Sequence, residues 1–187
     1  MILWRVLPWR GEGRPTDPGG ALWFPRELQG VGRHDNPDLY GCLYVGESPV
    51  SPIAEALAPF RGAGAITEGM LMRSGLPLAL AQLSLAEDRL GGGEILDLDD
   101  PGVLVELDLR PSRVATGERA VTQADAARLF TGRPALAGMR WWSAIEASLV
   151  NLTIFARARP ALDVVDVNPL SRVDAAVREA AELLGLS

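Results

Sequence analysis

The sequence predicts an α+β (mixed α/β) fold, a single domain of residues 1–187 with a central mixed sheet flanked by helices. Three observations predict it. Short apolar and aromatic segments of strand length are mixed irregularly with helical patterns, without the strict strand–helix repetition of a parallel α/β protein. At 187 residues and 48% hydrophobic content, the chain can bury one sizeable core but hardly two. No internal repeat and no linker long enough to divide domains is visible.

Ile2 to Leu7 reads as a strand, and Pro8 to Gly20 is rich in Gly, Pro and charge, as a surface loop should be. Gly11-Glu12-Gly13 is no dinucleotide loop, because Thr16 replaces the third glycine and no helix follows. From Trp23 to Tyr40, turn residues Gly30, Gly32 and Asn36-Pro37 predict a long irregular segment, a feature often tied to function. Leu43-Tyr44-Val45 is a strand, after which Ser48-Pro49 or Ser51-Pro52 can cap and start a helix that carries Glu55 in its first two turns. Leu76 to Leu85 fits both periods and is read as a strand because Gly75, Pro77 and Gly91-Gly92-Gly93 bracket it. Ile95 to Leu98 is a short strand, and a helix runs from Asp100-Pro101 to near Leu109, before Pro111. Thr122 with Asp125 predicts a capped helix through Phe130 that Gly132 closes. Leu136 to Trp142, Asn151 to Ala156 and Ala161 to Val167 read as strands. In the last helix Ser171 is the expected cap, Val173, Val177, Ala180, Ala181 and Leu184 the apolar stripe, and Gly185 the terminator.

Composition excludes several functions. All eighteen basic residues are arginine, so lysine-based covalent chemistry and a phosphate-loop lysine are ruled out. A net charge of −6 argues against direct nucleic-acid binding, which needs excess positive charge to meet phosphates. One cysteine, Cys42, allows no internal disulfide. His34 is the only histidine and Cys42 the only cysteine, so no soft-ligand zinc cluster and no metal is expected, and a Ser-His-Asp triad could be built only through His34, with no nucleophile motif to support it. Asp97, Asp99 and Asp100 could face a hard cation, but strand-end solvation and helix capping account for them more simply. The first ten residues lack a leader pattern and no apolar run is long enough to span a bilayer as a helix, so a soluble cytoplasmic protein away from membranes is expected.

Candidate functional residues concentrate between Tyr40 and Glu55, in Tyr-Gly-Cys-Leu-Tyr-Val-Gly-Glu-Ser-Pro-Val-Ser-Pro-Ile-Ala-Glu. An aromatic strand leading into a Ser-Pro helix start delivers two tyrosines and a carboxylate to one sheet edge, where a planar ring can lie beside a sugar. Tyr40 and Tyr44 are four apart, which in a strand points both to one face. Arginine's rigid fork of donors suits a pyrophosphate, and Arg33 in the polar loop Gly32-Arg33-His34-Asp35-Asn36 is the first choice, with Arg26 next and Arg5 more remote.

This block, with the opening strand Leu3-Trp4-Arg5-Val6-Leu7, the turn Asp17-Pro18-Gly19-Gly20, the segment Arg140-Trp141-Trp142-Ser143-Ala144-Ile145 and Asn151-Leu152-Thr153-Ile154-Phe155, resembles the RES domain family in order and over most of the chain. The resemblance implies an ADP-ribosyltransferase-like fold and a toxin that consumes NAD as substrate, needs no further cofactor, and is blocked by a cognate antitoxin. Inorganic phosphate or water would accept the ADP-ribose, and a homo-oligomer is compatible with it. By the same resemblance Glu55 would stabilise the sugar cation, Ser143 would orient the acceptor or a phosphate oxygen, with Ser148 as the fallback, and Tyr44 and Tyr40 would frame the nicotinamide. Trp142 and Trp23 would wall the pocket. The chain departs from the family where Ala21-Leu22-Trp23-Phe24 follows Gly19-Gly20, because the family's key arginine usually comes directly after such a turn. ADP-ribosyl transfer to a macromolecule and a catalytically silent partner-binding module are the competing readings.

Overall fold

The computed structural model describes residues 1–186 and has a mixed α/β fold in which an eight-stranded mixed sheet is flanked by helices. The chain is divided between two compact units, each assembled from separate segments. Residues 1–23, 45–85 and those from Asp163 onward make the first, and residues 24–44 and 86–162 make the second.

In the first unit, β1 (Ile2–Pro8) pairs antiparallel with β4 (Leu76–Leu85) from Ile2 opposite Ser84 to Pro8 opposite Leu78. This register puts Leu3, Leu7, Ala79, Ala81 and Leu83 on one buried face, as period-two alternation requires. The other edge of β4 carries the short β3 (Met72–Arg73) and β8 (Leu162–Pro169), and β1 meets β2 (Cys42–Gly46) at Trp4 opposite Gly46. The strand order is thus β3-β4-β1-β2, with β8 also on β4. Helix α1 (Val50–Leu57) starts one residue after Pro49, and it buries Ile53, Ala54 and Leu57 where α5 (Ala175–Leu183) packs on it through Val177, Ala180 and Ala181.

The cap of α5 differs from the sequence reading. Asp174 is the N-cap residue, and its carboxylate accepts the Ser171 N–H at 2.8 Å, so Ser171 stands outside the helix. Val173 also precedes the helix and is 77% exposed, which removes it from the apolar stripe. At the other end Gly185 takes a left-handed φ of 67°, and the Leu186 N–H returns to the Ala181 carbonyl, the C-cap that a glycine allows.

In the second unit β5 (Glu94–Asp97) runs parallel to β6 (Leu136–Trp142), and β6 runs antiparallel to β7 (Val150–Phe155). Parallel neighbours need a crossover, and α2 (Pro101–Glu106), α3 (Pro111–Val114) and α4 (Arg119–Gly132) supply it. Helix α2 stops short of the expected Leu109 because Asp108 adopts φ 50°, outside the helical region. Helix α4 begins three residues before Thr122, which is buried inside it and donates its hydroxyl to the Arg33 carbonyl instead of capping. Leu104, Leu129, Met139, Trp141 and Phe155 are central to a core that also holds Tyr40 and Cys42. No described helix is long and apolar enough to cross a membrane.

Candidate active site

The irregular segment before β2 is organised by Asp35. The residue is 5% exposed; its Oδ2 accepts the N–H groups of Gly30 (2.8 Å) and Gly32 (2.7 Å), and Oδ1 accepts the Tyr44 hydroxyl (2.6 Å) and the Cys42 thiol (3.5 Å). Burial alone would raise this carboxyl's pKa, but hydrogen bonds from Tyr44, Gly30, Gly32 and Cys42 outweigh it and hold it below the usual value, so the group is charged. From α4, the Gln123 side chain ties the same loop by donating to the carbonyls of Gly30 (3.1 Å) and Gly32 (2.8 Å). A sequence-level signal for Asp35 existed in the polar run Gly32-Arg33-His34-Asp35-Asn36, but its partners lie up to nine residues away and converge only in the fold.

Both tyrosines do point to this loop. The Tyr44 hydroxyl accepts the His34 N–H (2.9 Å), and the Tyr40 hydroxyl donates to the His34 carbonyl (2.7 Å) while accepting from Asn36 (2.8 Å). The rings differ in access. Tyr40 is 4% exposed between Phe130 (4.4 Å) and Phe155 (4.6 Å), which makes it a core residue, whereas Tyr44 is half-buried. Burial, with the nearby Cys42 and Asp35, pushes the Tyr44 hydroxyl well above its ordinary pKa and keeps it protonated.

Arg33 is 6% exposed and turned inward, its NH1 donating to the carbonyls of Val114 (3.0 Å) and Thr116 (2.7 Å) and its guanidinium stacked 4.8 Å from the Trp141 ring centre. His34 is 3% exposed, with Nδ1 2.7 Å from the Thr153 hydroxyl, which also accepts the Trp141 indole N–H (3.1 Å). Burial first, then the charge of Arg33, lowers its pKa to about 3, so it is neutral in the fold. Between pH 6.5 and about 3 the unfolded chain binds more protons at this position than the native one. Stability therefore falls as pH falls through this window, because protonation favours the unfolded chain. His34→Gln keeps a hydrogen-bonding group opposite Thr153 but cannot protonate. Its melting temperature should decline less steeply than the wild type's from pH 6.5 to 4, and parallel profiles would refute this assignment.

The remaining sequence-chosen residues lie on other elements of the two units. Arg26 lies exposed on a 3-10 turn (Arg26–Leu28) of the second unit and donates Nε to the Pro37 carbonyl. Ser143 is 2% exposed at the end of β6; its hydroxyl accepts the Ile145 N–H (3.0 Å) and its N–H donates to Leu149 (2.8 Å), a turn-forming role. Trp142 packs, partly buried, against the core of the same unit, and Ser148 is exposed beside Glu146. In the first unit Glu55 is half-buried on α1, Trp23 is half-buried, and Arg5 pins the backbone of Ala21 and Trp23, burial lowering its pKa to about 10. The acidic trio has local partners: Arg140 NH1 pairs with Asp97 (3.0 Å) and Asp99 (3.2 Å), and Asp100 caps α2 by accepting the Gly102 N–H (2.7 Å). Among the described residues no three His, Cys, Asp or Glu side chains gather as a metal site.

Comparison with known proteins agrees with the family resemblance of the sequence. A chain from the crystal structure of the M. tuberculosis MbcT–MbcA toxin–antitoxin complex has a similar fold, with a TM-score of 0.65 and 18% identity over 98% of this chain and 88% of that one. No curated protein matches. The RES domain model matches residues 2–176, and the chain therefore belongs to the RES domain family.

Proposed function

We propose that this protein is an NAD-degrading toxin that breaks the bond between nicotinamide and ribose and passes ADP-ribose to inorganic phosphate or water in the cytoplasm. The observation that carries the reading is the RES family match from residue 2 to residue 176. The leaving nicotinamide takes the bond's electron pair and becomes neutral, positive charge grows on the sugar, and an acceptor oxygen closes the new bond and loses its proton. A carboxylate beside that charge stabilises the transition state more than the ground state, which is the role proposed for Glu55. The Tyr44 ring would stack on the nicotinamide, and Ser143 would orient the acceptor. Arg33 is the proposed counter-charge to the diphosphate, and Arg26, which is exposed, can reach a phosphate without any change in the core. The similar fold found in a toxin–antitoxin complex supports a cognate antitoxin as partner.

A second reading, a silent partner-binding module, is favoured by the inward-turned Arg33, whose NH1 is given to two carbonyls. Incubation with NAD followed by mass analysis separates the readings. Free nicotinamide with ADP-ribose phosphate in phosphate buffer, and ADP-ribose without it, is the expected result. A protein carrying added ADP-ribose would point to transfer onto a macromolecule, and NAD left intact under both conditions would leave only the silent module.

A further inference from the structure

Asp35 and Tyr44 form a pair with no step of its own in the proposed reaction. The Tyr44 hydroxyl donates its single proton to Asp35 Oδ1 at 2.6 Å and accepts the His34 N–H at 2.9 Å. With both sides committed, the hydroxyl has no proton to exchange with a ligand. What the half-buried residue can offer is its ring.

That ring is an unusual one. A phenol that donates a short bond to a charged carboxylate carries extra electron density over its face, and an electron-rich face attracts a cation. Asp35 stays charged because four hydrogen-bond donors converge on it within the second unit. Gly32 shows how closely the pair is built: a Cβ there would stand 2.6 Å from both Asp35 Oδ1 and the Tyr44 hydroxyl. Only glycine lets the carboxylate and the phenol meet.

Nicotinamide is a pyridinium cation in NAD+ and a neutral dihydropyridine in NADH. We propose that Asp35, acting through the ring of Tyr44, is a positioning residue that makes the site select the oxidised, cationic nicotinamide over the reduced one. The proposal rests on NAD being the substrate. It goes beyond that reading in one respect: NADH, whose neutral dihydronicotinamide is no leaving group for this reaction, would also be kept from competing for the site.

Calorimetric titration tests it with two ligands, NADH and a carbocyclic NAD+ analogue that keeps the pyridinium charge but resists cleavage. The wild type should bind the cationic analogue about fivefold more tightly than NADH. Tyr44→Phe keeps the ring and the two glycine bonds on Asp35 but removes the link between them. In this variant the preference should shrink to within about twofold, chiefly by weaker binding of the cation. Asp35→Asn should do the same, and if melting curves show that it does not fold, Tyr44→Phe carries the test. A preference unchanged in folded Tyr44→Phe would overturn the inference while leaving NAD as substrate. Wild-type protein that binds neither ligand would overturn the substrate reading and this inference with it.

Discussion

Glu55→Gln is expected to lower kcat for NAD cleavage by about 100- to 1,000-fold while leaving KM within about twofold. The substitution keeps the shape of the side chain and removes its charge. A charge that matters only as the sugar becomes cationic acts on the transition state, so its loss should appear in kcat and not in substrate binding. The fold should be unaffected, because α1 is held by the fully buried Ile53, Ala54 and Leu57, whereas Glu55 is only half-buried. Nicotinamide release, followed chromatographically beside a melting curve, is the measurement. Turnover equal to wild type would remove Glu55 from the mechanism.

Phe155→Ala should have the largest effect on stability, a loss of about 3–5 kcal/mol. The ring is fully buried and meets Tyr40 edge-on at 4.6 Å and Phe130 at 4.9 Å, while Tyr40 and Phe130 lie 4.4 Å apart. Its removal therefore leaves a cavity and breaks two of three contacts in an aromatic triangle that also holds the Tyr40 hydroxyl at the His34 carbonyl. Phe155→Leu retains most of the volume and should lose about half as much. Urea unfolding followed by tryptophan fluorescence measures both, and a loss under about 1 kcal/mol in Phe155→Ala would show that the site collapses to fill the space.

Much of the framework could be read from local pattern. Ile2–Pro8, Leu76–Leu85 and Leu136–Trp142 are strands whose burial or bracketing turns mark them, and α5 ends at its glycine as expected. The misses have a common cause. Thr122 has the look of a cap, yet its hydroxyl serves Arg33, 89 residues away, and a helix that begins earlier carries it there. The two interleaved units are defined by which segments touch, a property that composition does not carry. The site is legible by residue type and illegible by role. The Tyr40 and Tyr44 hydroxyls both meet the backbone of His34, but Tyr40 is walled in by Phe130 and Phe155, and Arg33 faces Trp141, neither of which spacing could reveal. Asp35, the residue that holds that loop together, lies in the same pentapeptide as Arg33, and no local pattern marks it as the hub.

The interleaving has a consequence during synthesis. Helix α1 needs α5 to cover it and β4 needs β8 beside it, and those partners are separated by about a hundred residues. As the polypeptide leaves the ribosome from its N-terminus, the first unit stays unfinished until the segment from Asp163 has emerged, and it must close long loops before those pairings form. A chain halted before that segment lacks α5, the helix that packs on α1 and so supports the element that carries Glu55.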